Sequence, residues 1–336
     1  MAIAMASFEP DSVLLERQIE SIRAQSHQRW VCLISDDGSA PERFELLQEL
    51  VAADERFRLT RAERRLGFYL NFERALRMVP AEAELVALAD QDDRWYPEKL
   101  ATLIAAAAGA ELAYSDMRIV DDEGQAVAES FWRGRRNNHT NLASLLLANT
   151  VTGAASLFPR RLLDLALPFP PPVGDPFHDQ WLACVALATG RIAYVERPLY
   201  DYVQHGEAAR GHEAAMREWD PRRLLSWRHP RRALRLIAAH GQRSYEINVR
   251  RIALFARTLE TRAAGRMEPD KARAVRRVER LGRPPEPTAW LALRSLRRFW
   301  GQNETMGIEL SLFAAIWWHR LAAARARLSG GEGRRQ

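Results

Sequence analysis

Short apolar runs of strand type alternate with stretches of helical periodicity along the first part of the chain. The predicted strands are residues 1–7, 30–35, 57–59, 85–89 and 112–116. Helices are predicted between them, one capped by Asp11 or Ser12, one after Pro41, one over 69–78 and one from Pro97. This alternation predicts an α/β fold with a mostly parallel, twisted sheet and helices on both faces.

The pattern becomes less regular after residue 120. It predicts a helix over 142–147, a strand within 150–158, a helix over 182–188 and short strands over 192–195 and 199–203. Arginine-rich stretches with helical spacing follow at 224–236, 247–259, 271–281, 290–300 and 308–321. We therefore expect an α/β domain over residues 1–212 and a basic α-helical C-terminal region over residues 213–330.

Charge is distributed unevenly between these two parts. Residues 220–336 contain 26 Lys and Arg against 10 Asp and Glu, whereas the preceding residues contain 23 against 33. The acidic first part argues against a nucleic-acid partner. Both cysteines lie in apolar surroundings, and the chain shows neither a long apolar run nor a signal-peptide pattern. These features predict a cytoplasmic protein.

The apolar run over 85–89 leads directly into Asp90, Asp92 and Asp93. Open α/β sheets bind ligands beyond the carboxyl ends of their strands, so these carboxylates should face a crevice. Closely spaced carboxylates repel one another unless a cation or protons are present. Hard divalent cations take oxygen ligands and often retain substrate phosphates. The stretch therefore predicts a metal–diphosphate site, with a polar turn capped by Asp93 as the alternative.

Two further acidic residues stand at the ends of predicted elements. Asp37 follows the second strand at the same sheet edge, where it either contacts a nucleotide or forms an Asx turn. Asp179 follows His178 after a proline-rich loop and is either a general base or a helix cap. The chain has neither a phosphate-binding loop ending in Lys-Ser/Thr nor a dinucleotide-binding glycine triplet, which favours a metal as the partner of the diphosphate.

Aromatic residues and one histidine leave further alternatives open. Trp132 and Trp181 either form a wall against a sugar or pack in the core. His205 is either a metal ligand or a structural histidine. The helix that carries Trp317 and Trp318 either contacts an anionic membrane surface or packs within the protein.

Six stretches, taken in chain order, resemble family 2 glycosyltransferases of the GT-A fold. They are residues 5–10, 35–39, 66–72, 89–95, 177–182 and 199–206. The Asp-Gln-Asp-Asp and His-Asp-Gln-Trp sequences within them are similar to the rhamnosyltransferase-like branch, which builds bacterial surface polysaccharides. Ser-Phe-Glu at 7–9 and the residues Asp201 and Val203 depart from the usual pattern. The resemblance covers about residues 1–206 and implies a GT-A sheet followed by the basic helical region.

The resemblance implies a role for individual residues. Asp37 would contact the nucleotide base, and Asp90 would lie toward the ribose. Asp92 would bind the metal with His205 near it, and Asp179 would be the catalytic base. The remaining nucleotide-sugar residues would be Ala6, Ser7, Phe8, Gly67, Asn71 and Gln91. The acceptor residues would be Trp132, His178 and Trp181.

The implied reaction is a single inverting sugar transfer that depends on Mg²⁺ or Mn²⁺. The donor would be dTDP-rhamnose or a UDP-sugar, and the acceptor a glycan or lipid-linked glycan, reached at the inner face of the plasma membrane. The Gln/Arg-x-x-Arg-Trp motif of processive members does not follow the predicted base, which favours single additions. The alternatives are a sugar-nucleotide-binding nucleotidyltransferase, which would consume a nucleoside triphosphate, and a non-catalytic membrane or nucleic-acid adaptor.

Overall fold

The computed structural model describes residues 1–132, 135–204, 241–283, 285–305 and 307–332. Its central feature is a sheet to which nine strands contribute. The strands are β1 (Ala2–Ser7), β2 (Val31–Asp36), β3 (Phe57–Arg61), β4 (Leu85–Ala89), β5 (Arg94–Trp95), β6 (Leu112–Val120), β7 (Ala126–Ala128), β8 (Ser156–Pro159) and β9 (Ile192–Val203).

The strands follow the order β3-β2-β1-β4-β8-β6-β9-β5, with β7 paired to β6. β1 pairs in parallel with both β2 and β4, and β6 pairs in parallel with β9. β8 is antiparallel to β4 and to β6, and β5 is antiparallel to β9. The predicted α/β fold is therefore confirmed, and its sheet is mixed rather than mostly parallel, with four parallel and four antiparallel strand pairings. The antiparallel β8 lies between β4 and β6, so it joins the first four strands to the later ones.

Helices connect these strands. They are α1 (Ser12–Arg23), α2 (Pro41–Val51), α3 (Phe68–Arg77), α4 (Lys99–Ala106), α5 (Leu142–Leu147), α6 (Leu163–Ala166) and α7 (His178–Thr189). Asp11 caps α1, because its Oδ1 accepts hydrogen bonds from the backbone N–H groups of Val13 and Leu14 at 2.9 and 3.1 Å. The start of α1 predicted from the sequence is thus explained by a side-chain cap.

Three predicted elements differ from the structure. The strand predicted within 150–158 is a 3₁₀ turn, Gly153–Ala155, followed by β8. The two short strands predicted over 192–203 are one strand, whose register with β6 shifts near Pro198. α7 begins at His178 rather than residue 182, since its first turn is polar and shows no apolar periodicity.

The C-terminal region is helical, as predicted. A π-helical turn, Tyr245–Val249, leads into α8 (Arg250–Arg262), and the following elements are α9 (Pro269–Glu279), α10 (Glu286–Ser295), a 3₁₀ turn (Leu296–Trp300) and α11 (Ile308–Glu332). The helix predicted over 224–236 and the domain boundary predicted at 212/213 lie outside the described residues.

The C-terminal helices share one hydrophobic core with the sheet. Ile3 and Met5 of β1 belong to the same buried cluster as Phe255 of α8, Val275 of α9 and Ile316 of α11. The sheet and this helical region therefore stabilise each other through buried apolar surface. No described helix combines the length and the hydropathy that a bilayer span requires.

Candidate active site

Hydrogen bonds join the carboxyl ends of β1, β2 and β4. The backbone N–H of Asp37 donates to the carbonyl oxygen of Ser7 at 2.8 Å. The Ser7 hydroxyl donates to Oε1 of Gln91 at 2.9 Å, and the Gln91 side chain exchanges two hydrogen bonds with the backbone of Phe8, at 2.8 and 3.0 Å. Ala6 precedes these residues in β1 and is half-buried. The structure therefore brings the nucleotide-sugar residues predicted on these strands together.

The Asp37 carboxylate is buried and holds the loop that precedes α3. Its Oδ1 accepts a hydrogen bond from the N–H of Leu66 at 2.6 Å, and its Oδ2 accepts one from the N–H of Gly67 at 2.8 Å. Gly67 has a φ of +83°, a conformation that favours glycine. A Cβ built on Gly67 would have no atom within 4 Å, so open space lies above this loop. Contact of Asp37 with a nucleotide base stays a prediction.

Asn71 lies beneath the strand ends rather than on an open surface. Its Nδ2 donates to the carbonyl oxygens of Ser35 and Ser7 at 2.8 and 3.2 Å, and its Oδ1 accepts from the Ser35 hydroxyl at 2.5 Å. Both amide hydrogens are thus used inside the protein. This geometry fits a role of Asn71 in supporting the nucleotide pocket. It does not fit direct contact of the Asn71 side chain with a ligand.

The loop of residues 90–93, called here the acidic loop, is electrostatically unfavourable. Asp90 and Asp92 are half-buried, and Asp93 is fully buried. Burial raises the pKa of Asp90 to about 7, with further contributions from the negative charges of Asp92 and Asp179. Burial also raises the pKa of Asp93. The alternative of an Asp93 helix cap is wrong, because Glu98 occupies the N-cap of α4.

A tyrosine on β9 lies near the same carboxylates. Burial raises the pKa of Tyr202, and the negative charges of Asp90, Asp93, Asp92 and Asp179 raise it further. Direct contacts link the same regions. The Lys99 ammonium lies 3.8 Å from the ring centroid of Trp95, just after the acidic loop, and donates to Ala154, while the N–H of the adjacent Gly153 donates to Asp179. The acidic loop after β4 and the start of α7, far apart in the sequence, therefore face one common site.

Lys99 is a buried lysine beside the acidic loop, and the sequence did not predict a role for it. Its Nζ donates to the carbonyl oxygen of Ala154 at 2.6 Å and lies 3.8 and 4.2 Å from the ring centroids of Trp95 and Tyr200. Its charge lowers the pKa of Asp90, in opposition to the effect of burial. The sequence feature that could have indicated Lys99 is its place in a short helix, α4, whose other residues are mostly apolar.

Asp179 lies in the first turn of α7 and retains partial exposure. Its carboxylate accepts hydrogen bonds from the N–H of Gly153 at 3.3 Å and of Gln180 at 2.6 Å. Burial nevertheless raises the pKa of Asp179 to about 6. The N-cap of α7 is Phe177, so Asp179 is not the capping residue. A carboxylate with this pKa is ionised at neutral pH and basic enough to accept a proton.

His178 lies below the surface. Its ring stacks on Phe72 with 3.7 Å between centroids, and a Cβ built on Gly153 would lie 2.6 Å from its Nε2. Burial lowers the pKa of His178 to about 3, so the imidazole is neutral. The predicted acceptor contact through His178 is therefore wrong, because the ring is enclosed between α3 and the Gly153 turn.

Trp181 is a core residue. Its side chain is fully buried, its Nε1 donates to the carbonyl oxygen of Ala166 at 2.9 Å, and its ring lies 5.4 Å from that of Phe255. The predicted contact of Trp181 with an acceptor is wrong, because α8 covers this face of α7.

Trp132 is half-buried in a loop that the C-terminal region holds in place. Its ring packs edge-on against Phe131, and the guanidinium of Arg135 lies 5.5 Å from its centroid. Arg135 in turn donates to the carbonyl oxygen of Glu304 at 2.8 Å. A role for Trp132 in acceptor binding stays a prediction. His205 lies outside the described residues.

Within the described ranges, no group of three His, Cys, Asp or Glu side chains has the arrangement of a metal site. The residues that suit a divalent cation are Asp90 and Asp92, which offer carboxylate oxygens at the carboxyl end of β4. The repulsion between them is the kind that a cation relieves. A hard cation held by one or two carboxylates takes its other ligands from substrate phosphates and water, so this donor set fits Mg²⁺ or Mn²⁺.

Residues 7–164 match the family model described as Glycosyl transferase family 2. A putative teichuronic acid biosynthesis glycosyltransferase of Bacillus subtilis (strain 168), TuaG, is 33% identical over 86 residues, which are 26% of this chain and 33% of that protein. An uncharacterized protein of Sinorhizobium fredii (strain NBRC 101917 / NGR234), y4gI, is 30% identical over 120 residues, which are 34% of this chain and 13% of that protein.

The fold is similar to crystal structures of TarS from S. aureus. TarS 1–349 in complex with UDP-GlcNAc matches with a TM-score of 0.51 and 15% identity, covering 93% of this chain and 90% of that chain. A further TarS structure matches with a TM-score of 0.51 and 14% identity, and here the match covers 54% of that chain. The fold is thus of the GT-A type. The matches span 13% of y4gI, 33% of TuaG and 54% of the longer TarS chain.

Proposed function

We propose, from the match of residues 7–164 to the family 2 glycosyltransferase model, that this chain transfers one sugar from a nucleotide-sugar to an acceptor hydroxyl in bacterial cell-surface polysaccharide synthesis. The observation that carries the proposal is the chain of contacts from the acidic loop through Lys99 and Ala154 to Gly153, whose N–H donates to Asp179 at the start of α7. A diphosphate site and a general base on one crevice are the two groups that such a transfer needs.

The donor is dTDP-rhamnose or a UDP-sugar. The ends of β1, β2 and β4 form its nucleotide pocket, with Asp37 and Gln91 as the groups that hold the surrounding loops. A protein of the same fold, TarS, was crystallised with UDP-GlcNAc, which supports a nucleotide-sugar ligand. The rhamnosyl donor rests on the resemblance of the Asp-Gln-Asp-Asp and His-Asp-Gln-Trp sequences alone.

The reaction depends on Mg²⁺ or Mn²⁺ held by Asp92 with Asp90 beside it, and His205 is a further ligand in this proposal. The chemistry supplied by such an ion is stabilisation of the negative charge on the departing nucleoside diphosphate. Asp92 would hold the ion that contacts the diphosphate end of the donor, and Asp90 would lie toward the ribose. Lys99 attracts the carboxylate of Asp90 in the acidic loop, and its hydrogen bond to the Ala154 carbonyl fixes the position of the ammonium group.

Asp179 accepts the proton of the acceptor hydroxyl. The oxygen then attacks the anomeric carbon from the face opposite the diphosphate. The bond from that carbon to the diphosphate oxygen breaks, the nucleoside diphosphate leaves with the electron pair, and the anomeric configuration inverts. The backbone N–H of Gly153 orients the Asp179 carboxylate, and the neutral His178 packs behind it. The proton stays on Asp179 until it is released to solvent, which the partial exposure of this side chain permits.

The acceptor is a glycan or lipid-linked glycan at the inner face of the plasma membrane, and the protein is peripheral there. Leu293, Phe299 and Trp300 in the C-terminal region are exposed by 68%, 84% and 72%. Residues 220–336 carry 26 basic against 10 acidic side chains. Exposed aromatic rings beside an excess of positive charge match the chemistry of an anionic bilayer surface.

The test is release of nucleoside diphosphate from a panel of dTDP- and UDP-sugars, with Mn²⁺ and with EDTA. We expect metal-dependent release from one donor, and its loss in Asp92→Asn and Asp179→Asn. Asp164→Asn is the matched control, because Asp164 is an exposed acid that pairs with Arg160 at the surface of α6. Release that is indifferent to metal and to both substitutions would contradict the proposal.

A further inference from the structure

Two half-exposed phenylalanines adjoin, in the sequence, the Gly67 loop and the predicted base Asp179. Phe68 is the first residue of α3, directly after Gly67, and Phe177 is the N-cap of α7, two residues before Asp179. Their side chains are exposed by 52% and 45%. Their ring centroids are 5.9 Å apart with an interplanar angle of 42°. We call Phe68 and Phe177 the aromatic pair.

The exposure of the aromatic pair is unusual for this part of the chain. Within residues 1–132 and 135–204, the exposed large hydrophobic side chains are Val13, Phe68, Val127 and Phe177. The neighbours of the pair on the same helices, Tyr69, Phe72 and His178, are all buried. Exposed apolar rings that come together from distant segments mark an interaction site more often than scattered ones do.

The aromatic pair is supported from below. The His178 ring lies 6.4 Å from that of Phe68, and His178 is itself stacked on Phe72. The guanidinium of Arg251, from α8, lies 5.5 Å from the ring centroid of Phe177. Arg251 also donates to the carbonyl oxygen of Asp175, which holds the loop that carries Phe177. The two rings therefore form a preorganised surface rather than a loose contact.

We propose that Phe68 and Phe177 bind the apolar face of a pyranose ring of the acceptor. A pyranose presents C–H groups on its faces, and the electron-rich face of an aromatic ring attracts such groups while excluding water. Sugar stacked on this pair lies beside Asp179, the group that must reach its hydroxyl. It also lies beside the open space above Gly67, on the donor side. The assignment rests on the proposed sugar transfer.

The nucleotide end of the donor uses other groups. Phe8 at the end of β1 is covered by the guanidinium of Arg65 at 4.0 Å, and its backbone is held by Gln91. This ring belongs to the strand ends that form the nucleotide pocket, whereas the aromatic pair belongs to the starts of α3 and α7. Substitution of the pair should therefore change acceptor binding and leave donor binding intact.

The experiment compares Phe68→Ala, Phe177→Ala and Phe177→Leu with the wild-type chain. Donor hydrolysis without acceptor gives the KM for the donor, and stimulation of nucleotide release by octyl and p-nitrophenyl glycosides gives the KM for the acceptor. We expect each alanine variant to raise the acceptor KM about tenfold with an unchanged donor KM. Phe177→Leu should also raise it, because leucine keeps the apolar volume but lacks the π face.

Val127→Ala is the control, since Val127 is an exposed apolar residue of β7, away from the starts of α3 and α7 in the sequence. It should leave the KM for a soluble glycoside unchanged. An acceptor KM within about twofold of wild type in both alanine variants overturns the proposal, as does the absence of saturable glycoside stimulation in the wild type. Absence of donor hydrolysis in the wild type instead overturns the proposed function, and thermal unfolding of each variant confirms folding.

Discussion

The ammonium group of Lys99 donates a hydrogen bond to the carbonyl oxygen of Ala154 at 2.6 Å. Through this contact a fully buried cation joins two parts of the candidate active site. Lys99 faces the carboxylates of the acidic loop on one side, and Ala154 adjoins Gly153, whose N–H contacts Asp179, on the other. Lys99 therefore couples the position of the acidic loop to that of the Gly153 turn, which holds Asp179.

Replacement of Lys99 by methionine should destabilise the protein and disturb the site. The substitution leaves the Ala154 carbonyl without its donor and removes the lysine whose charge lowers the pKa values of Asp90 and Asp93. We expect the free energy of unfolding to fall by about 3 kcal/mol, measured by urea denaturation. Lys271→Met is the control, because Lys271 also donates to a backbone carbonyl, that of Gly190 at 2.8 Å, but lies on α9. An equal loss in both variants would remove the special role of Lys99.

The rate of transfer should depend on the protonation of Asp179. Burial raises the pKa of Asp179 to about 6, and only the ionised carboxylate accepts a proton. The value of kcat/KM should therefore rise about tenfold per pH unit below this pKa and level off above it. Steady-state rates between pH 4.5 and 8.5 measure this profile. A rate that falls across this range as pH rises would show that Asp179 does not act as the base.

The same raised pKa predicts that Asp179 reduces stability at neutral pH. The folded protein binds the Asp179 proton more tightly than the unfolded chain, so the free energy of unfolding falls as pH rises from the unfolded value of 3.8 toward 6. Asp179→Asn should therefore raise the Tm at pH 7.5 while it abolishes transfer. The difference in Tm should shrink below pH 4, where the wild-type carboxyl is protonated. A lower Tm for Asp179→Asn at pH 7.5 would contradict this account.

Trp181 should behave as a core residue and not as an acceptor residue. Trp181→Ala removes a fully buried ring and the hydrogen bond to Ala166, so the free energy of unfolding should fall by about 4 kcal/mol. The milder Trp181→Phe keeps most of the packing against Phe255 and should leave the acceptor KM unchanged. A raised acceptor KM in Trp181→Phe, without a change in Tm, would restore the original prediction.

The exposed aromatic residues of the C-terminal region should determine membrane association. Phe299→Ser and Trp300→Ser should each weaken co-sedimentation with phosphatidylglycerol vesicles about tenfold, because each removes an exposed ring that can enter the interface. Binding should also fall in high salt, since part of it is electrostatic. Val127→Ser is the control, because Val127 is also an exposed apolar residue, by 64%, but lies on β7. Equal losses in all three variants would argue against a localised membrane surface.

The alternation of strand and helix, and with it the α/β fold, was predictable from the sequence. Buried parallel strands such as β4 are apolar throughout, and Pro41 and Asp11 mark the starts of helices by local effects that need no tertiary contact. The acids Asp37, Asp90 and Asp179 were found for the same reason, since a carboxylate directly after an apolar run or at the start of a helix is a local signal.

The tertiary structure decided which of these residues face the site and which lie beneath it. Whether a residue is buried depends on what packs on it from elsewhere in the chain. No local pattern therefore shows that α8 covers Trp181 or that Phe72 covers His178. Nor does one show that the Asn71 amide donates to two backbone carbonyl oxygens. The same holds for the site residues that only the structure revealed. Lys99 and Phe68 lie in sequences that are ordinary for a helix. The residues that surround them, Tyr200 and Phe177, come from segments far away in the sequence. A hydrophobic core and an active site are both assembled from such long-range contacts.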